Sequence, residues 1–516
     1  MYTYTKFVWK FIVVNLLWYG YIYYIIFNLL LLVLVFSLLR LYLNTYLNYW
    51  FSVFILNRLF LSLILFFFFV SFTILNYSLD VYSEVIYINT NTFATSSSDL
   101  FDYSYMFFYS FSKLWSFNVN SLNLLQVYSY PFIYVFLVVT ILSIVYCLSY
   151  NVDDLVSFMF YCQLILLAGY VLFFTDSIVL FFLFYEFLLI PSFFILYKFA
   201  KTRRCVEAAY LMFFWTQFGA LFLLFVLIYI YFISQTSQFS RISYTYYTPF
   251  EVNYFFCCLL IGFGVKLPIW PFYGWLPKAH VEASTNFSIF LSGVLVKFAF
   301  FGFFKCLVTF QVEPTFIYVY PFLLVGMIDA IFKLFYQIDL KKLVAYSTVI
   351  EMHWLTICVV SGQSSLMLAS FCMLISHALL STNSFLLVDA IARRYKTRLL
   401  TEISGINYLC PKLFLIVLLN TLVFLGFPGS IFFIAEFLFF SFFLDFFPVL
   451  ALFLISFLYL IGPTFFFRSW LNVMFGFSYS FVSTIPVDLS TREFMLFFGV
   501  IILMYWLGIS WQFFIY

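Results

Sequence analysis

The chain has 516 residues, of which 66% are hydrophobic and only 9% charged, with a formal net charge of +3. Soluble domains carry roughly 25% charged residues, so this balance excludes a water-soluble fold, and the small, scattered charge excludes a nucleic-acid surface or a groove for acidic substrates. Apolar runs of at least about 18 residues recur from Phe11 to Tyr516, each long enough to cross a hydrocarbon core as a helix, whereas a membrane barrel would show alternating segments of about ten residues.

The start, Met1 to Lys10, has neither the Arg- and Ser-rich look of a transit peptide nor a small-residue cleavage site, so the first helix is expected to be retained. Apolar runs between polar breaks predict about fourteen helices, starting near residues 11, 51, 131, 155, 177, 208, 252, 284, 315, 340, 365, 410, 446 and 494. Between the second and third lies one sizeable polar insert, at about 76–130, which holds the Ser/Thr/Asn stretch from Ile88 to Asp99 and reads as an extramembrane loop. Phe 82 and Tyr 42 against Gly 17 and Pro 13 favour AT-rich codons, as in an organelle genome, beyond what interfacial aromatic belts need.

Basic residues test the order of the helices, since Lys and Arg collect in loops on one face of a membrane. Lys198, Lys201, Arg203 and Arg204 follow the fifth predicted helix and Lys278 the seventh. Lys333, Lys341 and Lys342 flank the turn after the ninth; Arg393, Arg394, Lys396 and Arg398 follow the eleventh, and Arg468 the thirteenth. All five loops follow odd-numbered helices and are expected on one side, the negative matrix or cytoplasmic side, with both termini opposite.

Two helices are interrupted, the seventh at Gly264-Val265-Lys266-Leu267-Pro268 and the twelfth at Gly426-Phe427-Pro428-Gly429, with prolines 160 positions apart. The expected fold is all-α and polytopic, with two inverted five-helix repeats at 151–310 and 311–470 whose seventh and twelfth helices are broken. Three helices with their loop precede the repeats at 1–150, and one helix follows at 471–516. Paired broken segments point to a transport site, because an interrupted helix frees backbone groups for ions and water; Gly and Pro are also common in membrane helices that have no such role.

A charge at the bilayer centre costs about 2.5 to 3.5 kcal/mol on insertion scales, so each needs a partner, a wet cavity or a function. Position selects Glu186 in the middle of the fifth helix, Lys266 beside the break of the seventh, Lys297 midway along the eighth, His377 midway along the eleventh and Glu436 in the twelfth. Lys305, Lys333, Lys341, Lys342, Asp329 and Asp389 fall near helix ends, where side chains reach the headgroups as anchors. Glu351 and His353 are mid-helix in the tenth, but two positions apart they point to different faces. His280 and Glu282 are expected in a turn beside the seventh break, either lining an access path or packing a loop.

Acids, amines and an imidazole strung through a bundle are the materials of a proton relay. Burial disfavours the charged form and an opposite charge nearby favours it, so making or breaking one ion pair loads or releases a proton; Glu186 with Lys266 would be such a switch if their helices are adjacent. Other chemistries find no motif: there is no GxGxxG after a strand, no GxxxxGK[ST] and no HExxH. The nine cysteines form no CxxC and mostly lie in apolar runs, so no disulfide framework, zinc site or iron–sulfur cluster is expected.

Four stretches carry a family resemblance: Tyr185 to Pro191; Gly264 to Glu282, with VKLP and WLPKAHVEA; Asp339 to Ser347; and Gly426-Phe427-Pro428-Gly429 leading to Glu436. They resemble the antiporter-like subunits of respiratory NADH dehydrogenase (complex I) over about residues 150 to 470, and Lys297 with Glu436 matches the branch that pairs a lysine in helix eight with a glutamate in helix twelve. The resemblance implies that Glu186 and Lys266 form a coupling pair, Lys297 and His377 a central relay, and Glu436 the terminal residue. It also implies no cofactor in this chain, with NADH, FMN, iron–sulfur clusters and ubiquinone held by partner subunits. The implied partners are the other complex I membrane-arm subunits, including neighbouring antiporter-like ones, and lipid. The implied location is the mitochondrial inner membrane, with an organelle gene. Two departures stand out: Glu351 replaces a histidine common in relatives, with His353 displaced by two, and Ser284 replaces a usual proline.

The reading is a proton-translocating complex I subunit driven by redox chemistry elsewhere. Its rivals are a subunit of a multisubunit cation/proton antiporter and a structural subunit with static ion pairs.

Overall fold

The computed structural model describes residues 155–510, except 200–201, 244, 311–318, 362–363, 447, 457–461 and 477–486, together with 138–139 and 142. The first two predicted helices, nearly all of the third and the polar insert at 76–130 lie outside the described residues. Among those described, extended pairing is limited to two isolated bridges, Ser177 with Gln238 and Asp339 with Leu399; the remaining regular structure is helical, joined by turns and short irregular segments.

The helices in chain order are α1 (Leu155–Phe174), α2 (Ile178–Lys198), α3 (Arg203–Ser234), α4 (Pro249–Gly264), α5 (Trp275–Glu282), α6 (Thr285–Thr309) and α7 (Val319–Phe335). There follow α8 (Leu340–Val360), α9 (Ser364–Tyr395), α10 (Pro411–Phe424), α11 (Ile431–Phe446), α12 (Pro448–Ile455), α13 (Gly462–Phe475) and α14 (Thr491–Ile509). Start signals agree with the sequence. Thr248 and Ser490 cap α4 and α14 in capping boxes with Glu251 and Glu493. Asp339 caps α8, and Ser284 accepts the Phe287 amide at the start of α6, so the residue that replaces proline starts the helix another way.

Both predicted breaks are present. The chain leaves α4 at Gly264, turns through residues 265–268 and re-enters helix at Trp275; it leaves α10 at Phe424 and resumes in α11 at Ile431. In the second break Gly426 and Gly429 adopt φ of 67° and 91°, a region that glycine enters without a Cβ penalty.

Burial sorts the helices into an inner and an outer set. The spans of α6, α8 and α9 are buried almost all round, whereas α2, α3 and α14 leave more than half of theirs uncovered. On α3 the uncovered side is apolar, with Phe214, Leu221, Phe225 and Phe232 exposed, the surface of a helix that faces lipid or a neighbouring subunit. Close approach fixes the contact of α3 with α4: a Cβ on Gly219 would lie 2.8 Å from the Gly262 carbonyl oxygen, the small-residue packing that brings membrane helices together.

Four of the five basic segments gather at one end of the bundle, while Arg468 lies within α13. Lys341 donates to the Ala283 carbonyl at 2.6 Å, Arg398 donates to the Val281 carbonyl at 3.1 Å, and Thr202 and Cys205 reach the Glu282 carboxylate at 3.5 Å. At the other end Lys305 donates to the Thr175 carbonyl at 2.6 Å and Ser240 to the Asp176 carboxylate at 2.7 Å. Lys341 and Lys305 therefore correct the expectation of headgroup anchors, being 2% and 3% exposed. Each ammonium meets a carbonyl just past the C-terminus of a helix, α5 or α1, where carbonyls lack an intrahelical partner and the dipole favours a cation. His280 and Glu282 correct the expectation of a turn, since both lie on α5.

Candidate functional site

Pro191 cannot donate to the Phe187 carbonyl, and α2 is interrupted at Leu188. Just upstream, the Tyr185 carbonyl accepts Lys266 Nζ at 3.0 Å, and the ammonium lies 3.4 Å over the Tyr185 ring. Lys266 sits in the turn that ends α4, one turn beyond Gly262, so the α3–α4 crossing and the break together aim it at α2. Its Nζ is 3.8 Å from Glu186 Oε1, and Gln217 of α3 donates to the other carboxylate oxygen at 2.9 Å. The adjacency required for a Glu186 and Lys266 pair is therefore met. With 13% of the lysine and 19% of the glutamate side chain exposed, the pair lies near the bundle surface.

The second cluster occupies the three innermost helices. Within α6 residues Leu291–Leu295 form a π-turn, a local widening that shifts backbone hydrogen bonds by one residue and recurs at functional sites. Lys297, two residues beyond and 1% exposed, contacts the Ser292 carbonyl of this turn and the Nδ1 of His377 on α9. On its other side His377 presents Nε2 to Glu351 of α8 at 3.8 Å, and both side chains are buried. Lys297, His377 and Glu351 thus form one row of base, imidazole and acid.

Beside the first cluster lies a mainly apolar cavity of about 30 Å³, with Ser192, Thr216 and Lys266 on one side and Leu291 and Leu295 of the π-turn on the other. That is room enough for a water molecule. A wider pocket of about 350 Å³ opens beside the first break among Trp215, Trp270, Tyr273, Lys278, Asp329 and Lys333. There Lys333 donates to Asp329 at 2.8 Å and to the Tyr273 hydroxyl at 2.6 Å.

Glu436 is buried on α11, which packs along α9. Its helical neighbours Phe432, Phe439 and Phe440 meet the Trp354 indole of α8, with ring centroids 6.4, 4.8 and 6.3 Å apart. Residues three or four apart share a helix face, so Glu436 faces the interface with α8. Trp354 is itself one turn from Glu351.

His353 does point elsewhere, as its two-residue offset from Glu351 requires. Its Nε2 accepts the Trp270 backbone N–H at 2.8 Å and its Nδ1 pairs with the Val349 carbonyl at 2.8 Å. One ring nitrogen accepts and the other donates, the pattern of a neutral imidazole. A Cβ on Gly326 would lie 2.3 Å from this ring and 2.4 Å from Trp270, so that glycine leaves room for the contact. His353 is a latch that holds the first break to α8. His280, fully buried, stacks on Phe385 of α9 with centroids 4.7 Å apart.

A family model described as NADH:quinone oxidoreductase/Mrp antiporter, transmembrane, matches residues 175–462 and so takes in every residue of both clusters and Glu436. The chain belongs to this family. It is 34% identical over 360 residues to NADH-ubiquinone oxidoreductase chain 4 of Paramecium tetraurelia, covering 69% of this chain and 75% of that one. Among solved structures it shares a fold with a chain of respiratory complex I from Thermus thermophilus, at TM-score 0.66 and 20% identity over 75% of this chain and 82% of the other. A chain of the Mrp complex from Dietzia sp. is similar at TM-score 0.66 and 16% identity over 75% and 81% of the two chains.

The sequence singles out Glu186, Lys266, Lys297, His377 and Glu436; it marks Glu351 as a mid-helix acid without placing it in the site, and it does not single out Gln217. Glu351 carried a signal, since a carboxylate in the middle of an apolar helix needs a partner. Gln217 carries none beyond lying two positions before Gly219.

Proposed function

We propose that this chain is a proton-translocating membrane-arm subunit of respiratory NADH:ubiquinone oxidoreductase, moving protons through Glu186, Lys266, Lys297, His377 and Glu436. The observation that carries the reading is that these residues stand on, or for Lys266 just past, helices in mutual contact, α2 beside α3, α3 beside α4, α4 beside α6, α6 beside α9 and α9 beside α11, with a water-sized cavity between Lys266 and the π-turn that precedes Lys297. Acid–base groups within reach of one another, or of one intervening water, are what proton transfer requires. The pocket beside the first break, lined by Lys278 and Lys333, belongs to the end of the bundle where the basic loops meet and is suited to admit water from that face.

In this reading electrons pass only through partner subunits, which hold NADH, FMN, iron–sulfur clusters and ubiquinone. Neighbouring membrane-arm subunits and lipid cover the exposed apolar faces, in the mitochondrial inner membrane, and the gene is organellar. About fourteen helices cross the membrane, ten of them in two inverted repeats; the equivalent breaks after Gly264 and Phe424 support this arrangement. The decisive experiment replaces Lys297 or Glu436 by alanine and measures protons moved per NADH in the assembled complex. The proposal expects a clear loss, and an undiminished yield refutes it.

One observation favours a second reading. The family model covers Mrp antiporters as well, and the fold matches an Mrp chain as closely as a complex I chain. A cation/proton antiporter subunit would co-purify without quinone reductase activity and would support sodium-dependent exchange.

A further inference from the structure

We infer that Glu351 is a working member of the central relay and exchanges protons with Lys297 through the His377 imidazole. The inference rests on the proposed proton-pumping reading and adds a residue to it. Lys297 and Glu351 are 1% and 6% exposed, on facing inner helices, and a buried charge requires a compensating one. A static ion pair would set the carboxylate directly on the ammonium. Here an imidazole stands between them, one nitrogen turned to each: Nδ1 to Lys297 Nζ, and Nε2 to Glu351 Oε2 at 3.8 Å.

The protonation pattern follows from the contact. An ammonium has only donors, so the His377 Nδ1 that meets it is the acceptor, and a neutral ring then carries its proton on Nε2, facing Glu351. The transfer balances as two proton shifts. A Lys297 Nζ–H bond breaks as Nδ1–H forms; Nε2–H breaks as a Glu351 O–H forms. The charged amine and carboxylate become a neutral amine and a neutral acid, and the imidazole ends in its other tautomer. The 3.8 Å gap exceeds a hydrogen bond by about 1 Å, so the second shift needs the carboxylate to close on the ring or one water to bridge them. The π-turn supplies the counterpart on the lysine side, because the Ser292 carbonyl holds Nζ at the imidazole. The row is net neutral before and after; the two shifts remove its separated buried charges, and it can be reset by protons arriving from the Lys266 side.

Isosteric and acid-retaining variants separate this role from packing. Per assembled complex, E351Q is expected to lose proton pumping to the level of K297A, whereas E351D, which keeps the acid, retains a measurable share of it. A merely structural glutamate predicts the opposite order, with the isosteric glutamine tolerated better than the shorter aspartate, and that order overturns the inference. H377Q gives a reading independent of how E351Q assembles: its amide bonds to Lys297 but cannot pass a proton through, so pumping is lost, and native pumping by H377Q overturns the route. If K297A itself pumps normally, the wider reading falls; if K297A fails while E351Q pumps normally, only the role of Glu351 falls.

Discussion

Replacing Glu186 by glutamine removes the anion from the first cluster while keeping its shape and the contact with Gln217. At 3.8 Å and an effective dielectric constant of about 20, two unit charges attract by about 4 kcal/mol. Both groups are partly exposed, and solvent screening lowers that figure toward about 2 kcal/mol. For comparison, moving one charge against 100 mV costs about 2.3 kcal/mol. Forming or breaking this pair is therefore of the size needed to load or release a proton against a working membrane potential, whereas the Tyr185 carbonyl and ring hold Lys266 whether or not the carboxylate is charged. Losing about 2 kcal/mol corresponds to a roughly thirtyfold change in an equilibrium constant. E186Q is thus expected to lower coupled turnover by roughly ten- to thirtyfold with the amount of assembled complex unchanged. The assay is NADH-driven acidification in closed vesicles, read with a pH-sensitive dye and normalised to complex content by electron transfer to an artificial acceptor. Native turnover with native proton yield in E186Q would show that the ion pair does not bias Lys266, and the coupling argument would fail.

Two further substitutions test the scaffold. Gly262→Leu places a side chain against Leu223 and the Gly219 carbonyl, where even a Cβ meets atoms at 3.2 and 3.3 Å. Overpacking costs about 1 to 3 kcal/mol, so a lower temperature of thermal inactivation is expected, with loss of coupling as Lys266 moves off Glu186; an unchanged inactivation temperature would contradict the close crossing. His353→Ala leaves the Trp270 N–H without its acceptor, which costs about 1 to 3 kcal/mol for a buried donor. That variant should be less heat-stable yet pump normally per assembled complex, and a pumping defect in fully assembled complex would instead place His353 in the relay.

Much of this architecture was legible in the sequence because a membrane imposes simple rules. Backbone groups in lipid must bond within their own helix, so apolar length gave most of the long described helices to within a few residues, and Gly-Pro clusters gave both breaks in the chain. Charge placement gave the grouping of four of the five basic loops, since Thr202, Glu282, Lys341 and Arg398 do meet at one end, whereas Arg468 lies within α13 rather than in a loop after it. The interruption of α2 was harder to read, because a single proline in a membrane helix is often absorbed by its neighbours, and the π-turn of α6 leaves no compositional mark at all.

What the sequence by itself determined is which residues are costly: ionisable groups in apolar helices, each needing a reason to be there. Which of them share a reason was decided by tertiary structure. Position separates Lys297 from Lys341 and Lys305, but only the structure shows that the latter two are buried and cap helix ends while Lys297 faces an imidazole. Glu351 and His353, two residues apart, diverge: one faces His377 in a buried row, the other latches the backbone at Trp270. The physical reason is the short range of the interactions concerned. Hydrogen bonds and proton transfers act over about 3 Å, a distance set by how helices cross and turn rather than by the spacing of letters along any one of them.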